Sequence, residues 1–509
     1  MFAQSRLAIV MCMRLFLVFS TALYGLSYNA AATARQDGQS LYPSDIVAPV
    51  QAANSDTSAP QQLQSILTEP KNISDELSDA LGAAAFVATP TQSTSEFERL
   101  IREAIGRRPV FHAQLSALSE TRAGKRLARS ALYPQLSAQL SGDYVLTRDF
   151  GETTDNVVES LRPTEQVTAG LSVSQLIFDG GATSNRIRAA RARHEEFEHA
   201  LSTRINELAL TSLSIYHDAL THQALVSIAS DFIKRHQEIL ENVRERERLG
   251  ASSKADSTQA AARLAAAHAR FAEIRESAQL ADIRFQEFFQ GDQQKLQRPI
   301  IDVEYARTRD EAVDLALAGS PELAAASARA NASKAEFKAA RSARLPELRA
   351  SVDAVKFDIF DSGDDFDIRA GLNVNYNLFG GGARSATIAQ AGSRAKQDRF
   401  GEDQMRRDIE RDAAISFERV HGARARLVAL EAAVIANNKT RELVLERYKL
   451  ARGDLIDVLQ AESDFFDSSV AYLSGLTNLD LVKYELMQNT GELTERFAPR
   501  DAGEGYAYE

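Results

Sequence analysis

The chain has 509 residues, a quarter of them charged, no tryptophan and a net charge of −11. That length could hold several ordinary domains, but the acidic balance and the lack of any Lys/Arg run exclude broad nucleic-acid binding. The single cysteine, Cys12, lies near the N-terminus, so disulfides, thiol catalysis and thiolate metal sites are excluded from the rest of the chain.

The N-terminus reads as a secretory signal, residues 1–34. Arg6 and Arg14 carry positive charge, Leu15 to Leu26 is apolar but too short to span a bilayer, and "NAAATA" offers cleavage after Ala32 or Ala34. Nothing after residue 35 approaches eighteen uninterrupted apolar residues. An exported chain without a helical span is either soluble or enters a membrane as β-strands. Residues 35–95 are rich in Gln, Ser, Thr and Ala and hold five of the twelve prolines. They are expected to form a flexible lead-in, with short helices around Ile73 to Ala85 and no role beyond a tether.

Beyond that point no proline occurs from Thr164 to Arg298 or from Glu347 to Ala498. Both stretches are rich in strong helix formers. Ala182 to Gln290 contains one glycine, Gly250, which predicts a helix from about Ala182 to Leu249, a turn, and a second helix folded back on it. A helix of that length spans roughly 100 Å, a rod suited to a coiled-coil-like assembly.

The pattern occurs twice. Gly170 to Asn185 ("GLSVSQLIFDGGATSN") matches Gly371 to Ala386 at an offset of 201, with eight of sixteen residues identical. The offset persists to Asp256, Gln259 and Ala260 against Asp457, Gln460 and Ala461. Upstream, "ARSALYPQLSA" matches "ARSARLPELRA" at an offset of 212, which also relates Pro109 to Pro321. Matching Pro and Gly punctuation marks a true duplication: repeat 1 over residues 96–295, repeat 2 over 296–495, and a tail over 496–509.

Each repeat carries two strands, expected within residues 135–179 and 347–380. Ile368, Ala370, Leu372, Val374, Tyr376 and Leu378 share one face, and Asp367, Arg369, Asn373, Asn375 and Asn377 the other. Partner strands fit Leu136 to Val145 and Leu348 to Phe357, with loops at Thr147 to Arg162 and Asp358 to Asp365. A water-facing sheet packed on a helix would also alternate. Charges on one face only, and apolar rows long enough to cross a bilayer when tilted, favour a membrane barrel. Four strands cannot close one, so several chains must share it: two would supply eight strands, three would supply twelve and leave a lumen. Gly180, Gly181, Gly380, Gly381 and Gly382 then turn the chain from strand into helix, and Pro134 and Pro346 end the incoming helices at the same level. A phosphate-loop reading of "FDGGATS" fails, because no lysine follows at the needed spacing.

These motifs, with "YPQL", "LPEL" and "YKLARGDLIDVLQAESDF", resemble those of the TolC family of outer-membrane channels, over about residues 96–495. The resemblance implies a homotrimer with a twelve-stranded outer-membrane β-barrel, four strands per chain, continued by a periplasmic α-helical barrel. It implies outer-membrane lipid, a periplasmic adaptor and an inner-membrane pump, ABC-type or proton-driven, as partners, and a passive duct for small molecules or for type I protein secretion. "QLIFDGGATSNRI" looks slightly more like channels of protein secretion. The resemblance places the periplasmic entrance at the hairpin turns, Arg248 to Asp256 and Tyr448 to Asp457. Asp256, Asp457, Gln460 and Tyr448 are implied gate residues. Gln460 stands where family members often carry an acid, Gly453 where they can carry a base, and Ala451 where glycine is usual. Leu249, Gly250, Ala251, Ser252, Leu450, Ala451, Arg452 and Gly453 would face the adaptor. Helix capping is the bland account of both aspartates, since each lies just past a turn.

No catalytic residue, metal site or cofactor is expected. His194 and His199, like His217 and His222, are five apart and share no helix face well, so they read as solvated positions. Carboxylates lie among arginines at helical spacing. The competing reading is an exported coiled-coil scaffold or adhesin with a small soluble sheet.

Overall fold

The computed structural model describes residues 75–147, 163–291, 296–301, 306–360 and 365–499. The signal segment, most of the lead-in and most of the first strand-connecting loop lie outside these residues. Of the lead-in, Asp75–Leu81 (α1) and Ala85–Ala88 (α2) flank a 3₁₀ turn at Gly82–Ala84. They are not a tether: Leu77, Leu81, Ala84 and Val87 are buried in the main core. Apolar residues at helical spacing win here over the surrounding polar composition.

Repeat 1 continues as α3 (Thr94–Gly106), α4 (Pro109–Ser130), β1 (Gln135–Tyr144), β2 (Glu165–Phe178), α5 (Ala182–Arg248) and α6 (Lys254–Phe289). Repeat 2 runs α7 (Arg309–Gly319), α8 (Pro321–Ser342), β3 (Glu347–Lys356), β4 (Phe366–Asn375), α9 (Ala383–Lys449) and α10 (Leu455–Asn489), then α11 (Glu492–Phe497). Pro109 and Pro321 open α4 and α8 at the first turn, where the missing N–H costs nothing. The two long helices have 67 residues each, as the Gly250 break predicted for the first. The tail starts later than expected, because α11 extends to Phe497, which is buried.

The strands form one antiparallel sheet in the order β1-β2-β3-β4, so β1 and β4 are its edges. Its outer row is apolar and open: Leu136 is 72% exposed, and Leu372 likewise. The other face is polar, where Ser351 Oγ donates to Asp353 Oδ2 at 3.1 Å. β4 stops at Asn375, three residues short of the ladder read from the sequence. Its twin β2 reaches Phe178 because Leu176 and Phe178 pair with β3, across a bulge at Ile177. Beyond Asn375, β4 has no such neighbour among the described residues.

The main core lies midway along α5, where α3, α6, α10 and α11 converge on it. Tyr216 is its hub: fully buried, it meets Phe97 edge-on at 4.9 Å. Its hydroxyl oxygen lies 2.7 Å from both Gln92 Oε1 and the Gln297 carbonyl oxygen, sharing its one hydrogen with them. One residue thus joins the helices to the link between the repeats. No helix among the described residues is long and apolar enough to cross a membrane.

Candidate functional site

Two regions position the predicted residues: the strand-to-helix hinges and the hairpin tips. At the hinges Gly181 (φ 85°) and Gly382 (φ 85°) are the N-caps of α5 and α9, in the left-handed region that favours glycine. Gly180 is packed as well: a Cβ there would fall 2.7 Å from Leu345 Cδ1, and its carbonyl accepts from Ser342 Oγ at 2.8 Å. Gly380 is not left-handed, and its carbonyl accepts from the N–H of Ala383 at 3.1 Å. It stands where repeat 1 has Asp179, whose carboxylate accepts from the N–H of Gly181 (3.0 Å) and of Thr183 (2.6 Å) and so caps α5. Pro134 and Pro346 do not end helices. α4 and α8 stop four residues earlier, at Ser130 and Ser342, and each proline instead immediately precedes a strand.

At the tips both turns have the same geometry. Gly250 N–H donates to Glu247 O (2.9 Å) and Ala251 N–H to Arg246 O (2.8 Å). Ala451 N–H donates to Tyr448 O (3.1 Å) and Arg452 N–H to Arg447 O (2.9 Å). Each is a Schellman motif, with Gly250 (φ 73°) and Ala451 (φ 56°) at the left-handed position. Just behind the turns Ile239, Leu240, Val243, Ala260, Leu455, Val458 and Leu459 form a small core that holds both hairpins together. Leu249 and Leu450, at matching positions, stay about 70% exposed.

Of the predicted gate residues, Asp256 is the third residue of α6 and closes a capping box. Its Oδ2 accepts from Ser253 N–H (2.9 Å) and Ser252 Oγ (2.8 Å), while Ser253 Oγ accepts from Asp256 N–H. The Ser253 and Ser252 hydrogen bonds hold its carboxyl below the usual range. Asp457 is the third residue of α10 and exposed, and Gln460 Nε2 donates to Asp464 Oδ1 at 2.8 Å. Tyr448 is half-buried beneath Arg246, whose guanidinium lies 4.6 Å from the ring centroid and reaches the Tyr448 carbonyl at 3.4 Å. That contact joins the last turn of α5 to the last turn of α9.

Three histidines are not solvated as expected, whereas His199 and His222 are partly exposed and His112 and His268 exposed. His194, His217 and His236 are buried. Burial pushes His217 and His236 down to about 4. His217 Nδ1 lies 3.8 Å from Asp480 Oδ2, and Asp480 takes a bidentate pair from Arg298 at 2.7 and 2.8 Å. Burial alone would raise the Asp480 carboxyl, but the Arg298 charge and hydrogen bonds outweigh it and hold it low. Arg298 Nη1 also donates to Ala88 O at 3.3 Å, so this pair ties the N-terminal helices and the inter-repeat link to α10. No motif marks Arg298. The only signal is an arginine set against Pro299 and the apolar pair Ile300 and Ile301. Lower down, Arg441 and Glu462 are buried 3.9 Å apart, and Arg441 lies 4.0 Å over the Phe465 ring.

Residues 100–287 and 312–492 match the family of outer membrane efflux proteins. The outer membrane efflux protein BepC of Brucella suis is 24% identical over 387 residues, 74% of this chain and 82% of its own length. The alkaline protease secretion protein AprF of Pseudomonas aeruginosa is 25% identical over 397 residues, covering 74% of this chain and 79% of its own. Two crystal structures share the fold. The outer membrane protein VceC of Vibrio cholerae has a TM-score of 0.69 at 17% identity, over 78% of this chain and 96% of that one. The CmeC outer membrane channel of Campylobacter jejuni has a TM-score of 0.70 at 13% identity, over 89% and 95%. The duplicated strand-to-helix hinges, the open apolar sheet and the paired helical rods are thus those of a known channel fold, and the chain belongs to the outer membrane efflux protein family: an export channel of the outer membrane, not an enzyme.

Proposed function

We propose that three copies form one twelve-stranded barrel in the outer membrane, continued inward by their helices, and that this duct receives cargo from a periplasmic adaptor and an inner-membrane pump. One observation carries the trimer: a four-stranded sheet with two free edges and an open apolar row leads directly into helices of 67 residues. Unpaired strand edges in lipid cost several kcal/mol per backbone group, and twelve strands close with a lumen. The exposed Leu249 and Leu450 at the tips support adaptor docking, as paired apolar knobs on otherwise polar turns.

The entrance is proposed at the same tips. Asp256 and Asp457 place two carboxylates per chain at this end, and the Arg246–Tyr448 contact fastens one hairpin to the other. Mass measurement in detergent and conductance in planar lipid test the trimer and the pore together. A monomer that is soluble without detergent and forms no pore would refute it. The named relatives divide between efflux and protease secretion. A deletion strain scored for lost secreted protein against drug sensitivity assigns the cargo.

A further inference from the structure

The internal duplication gives the register of the interface between copies, residue by residue. Within the chain, β2 of repeat 1 pairs with β3 of repeat 2. The same junction between copies would place β4 against β1 of the partner subunit. Moving β2 forward by 201 residues gives β4, and moving β3 back by 212 gives β1. The pairs Val173–Val352, Ser174–Ser351 and Gln175–Ala350 then become Val374 with Leu140 of the partner subunit, Asn375 with Gln139 of the partner subunit, and Tyr376 with Ala138 of the partner subunit.

We propose that β4 docks on β1 of a second copy in this register, and that residues 376–379 become strand only on docking. The inference rests on the trimeric reading above. Three observations carry it. First, the side chains agree on both faces. The outer pairs Ala370–Tyr144, Val374–Leu140 and Tyr376–Ala138 are apolar with apolar, and the inner pairs Asn373–Ser141, Asn375–Gln139 and Asn377–Ser137 polar with polar. A one-residue slip would put every polar residue opposite an apolar one. Second, β4 stops at Asn375 while β2 continues for the equivalent residues, and the residues left out are those whose twins pair across the bulge at Ile177. Leu378 and Phe379 are 86% and 88% exposed in the single chain.

Third, the hinge contact has an empty counterpart. Gly180 is covered by Leu345, and its carbonyl accepts from Ser342 Oγ. The equivalent Gly381 has no atom within 4 Å of an added Cβ among the described residues. The equivalents of Ser342 and Leu345 are Ser130 and Tyr133, and Tyr133 is 67% exposed. In the assembly, Ser130 of the partner subunit donates to the Gly381 carbonyl, and Tyr133 of the partner subunit covers that glycine.

Paired cysteines in a Cys12→Ser background test the register. The pairs Gln139→Cys with Asn375→Cys, and Leu140→Cys with Val374→Cys, sample both alternating geometries of an antiparallel ladder, one of which brings the Cα atoms to about 4.5 Å. Oxidation should remove the monomer band on a denaturing gel and yield a covalent trimer that reductant reverses. Pairs shifted by two residues, Gln139→Cys with Asn373→Cys and Leu140→Cys with Leu372→Cys, should leave the monomer band. Cross-linking of the shifted pairs instead, or a trimer by light scattering in detergent with neither predicted pair linked, overturns the register while the trimer stands. A monomer in detergent removes both.

Discussion

Gly250 and Ala451 occupy the same point of two superimposable turns, each left-handed and each donating its N–H to the carbonyl three residues back. Glycine adopts that conformation freely, whereas a Cβ costs about 1–2 kcal/mol there. Ala451→Gly should therefore stabilise the second tip by about 0.5–1 kcal/mol after the added freedom of the unfolded glycine is subtracted. Gly250→Ala should destabilise the first tip by a similar amount. Slower amide exchange across residues 448–455 in Ala451→Gly would show it, and faster exchange would contradict it.

Replacing Asp480 by alanine takes the carboxylate from a buried Arg298 and should cost about 3–5 kcal/mol. Because the pair also ties down Ala88, protease should cut residues 75–92 earlier than in the parent. The double variant Arg298→Met, Asp480→Leu removes both charges and should be markedly less damaging. Guanidinium midpoints of the three proteins make the comparison.

Stability should fall on mild acidification. His217 and His236 are buried neutral and held near 4, against 6.5 when unfolded, so the unfolded chain binds more protons between those values. Their stabilisation is complete above pH 6.5 and lost towards pH 4, on the order of 3 kcal/mol each at the lower limit. His236→Gln should flatten the melting-temperature profile between pH 6.5 and 4. Asp256 acts in a different window: its depressed carboxyl keeps the capping box above pH 3.8 and loses it as pH falls further. Asp256→Asn should leave the profile above pH 5 unchanged.

Arg246→Ala should loosen the fastening between the hairpins and raise mean conductance in planar lipid, without changing trimer yield. Asp256→Ala with Asp457→Ala should weaken block by divalent cations, if both carboxylates line the entrance. Unchanged block in the double variant would remove both from the entrance and leave Asp256 with helix capping alone.

Gly319 and Gly491 meet backbone to backbone: a Cβ on Gly319 would lie 2.2 Å from Thr490 O, and one on Gly491 2.3 Å from Gly319 O. Either alanine substitution must part α7 from α11, at a cost of about 1–3 kcal/mol or more. Thermal unfolding followed by helical circular dichroism would report it.

The long helices and the strands were legible because their signals are local and repeated. Proline at Pro109 and Pro321, glycine at Gly181 and Gly382, and a period-two ladder each fix a boundary within a few residues. Positions that depend on distant partners were not legible. The histidines at five-residue spacing gave no hint that His217 faces Asp480 across 263 residues of chain. The short helices near Ile73 to Ala85 were legible, but their docking was not, because a few apolar residues, Leu77 and Leu81 among them, suffice once a core exists to receive them. The end of β4 was overread because its alternation anticipates a neighbour that a single chain lacks. The Arg246–Tyr448 contact escaped notice because arginine in the last turn of a helix is ordinary.

The equality of α5 and α9, at 67 residues each, limits how such a chain can change. Deleting one residue from either would shorten that rod by about 1.5 Å and rotate everything beyond it by about 100°. Its tip would leave the plane of its twin and turn its knobs away from them. Length variation is therefore tolerable only when both halves alter in step, by multiples that restore the original facing, so the reach of the duct across the periplasm can evolve only in matched jumps.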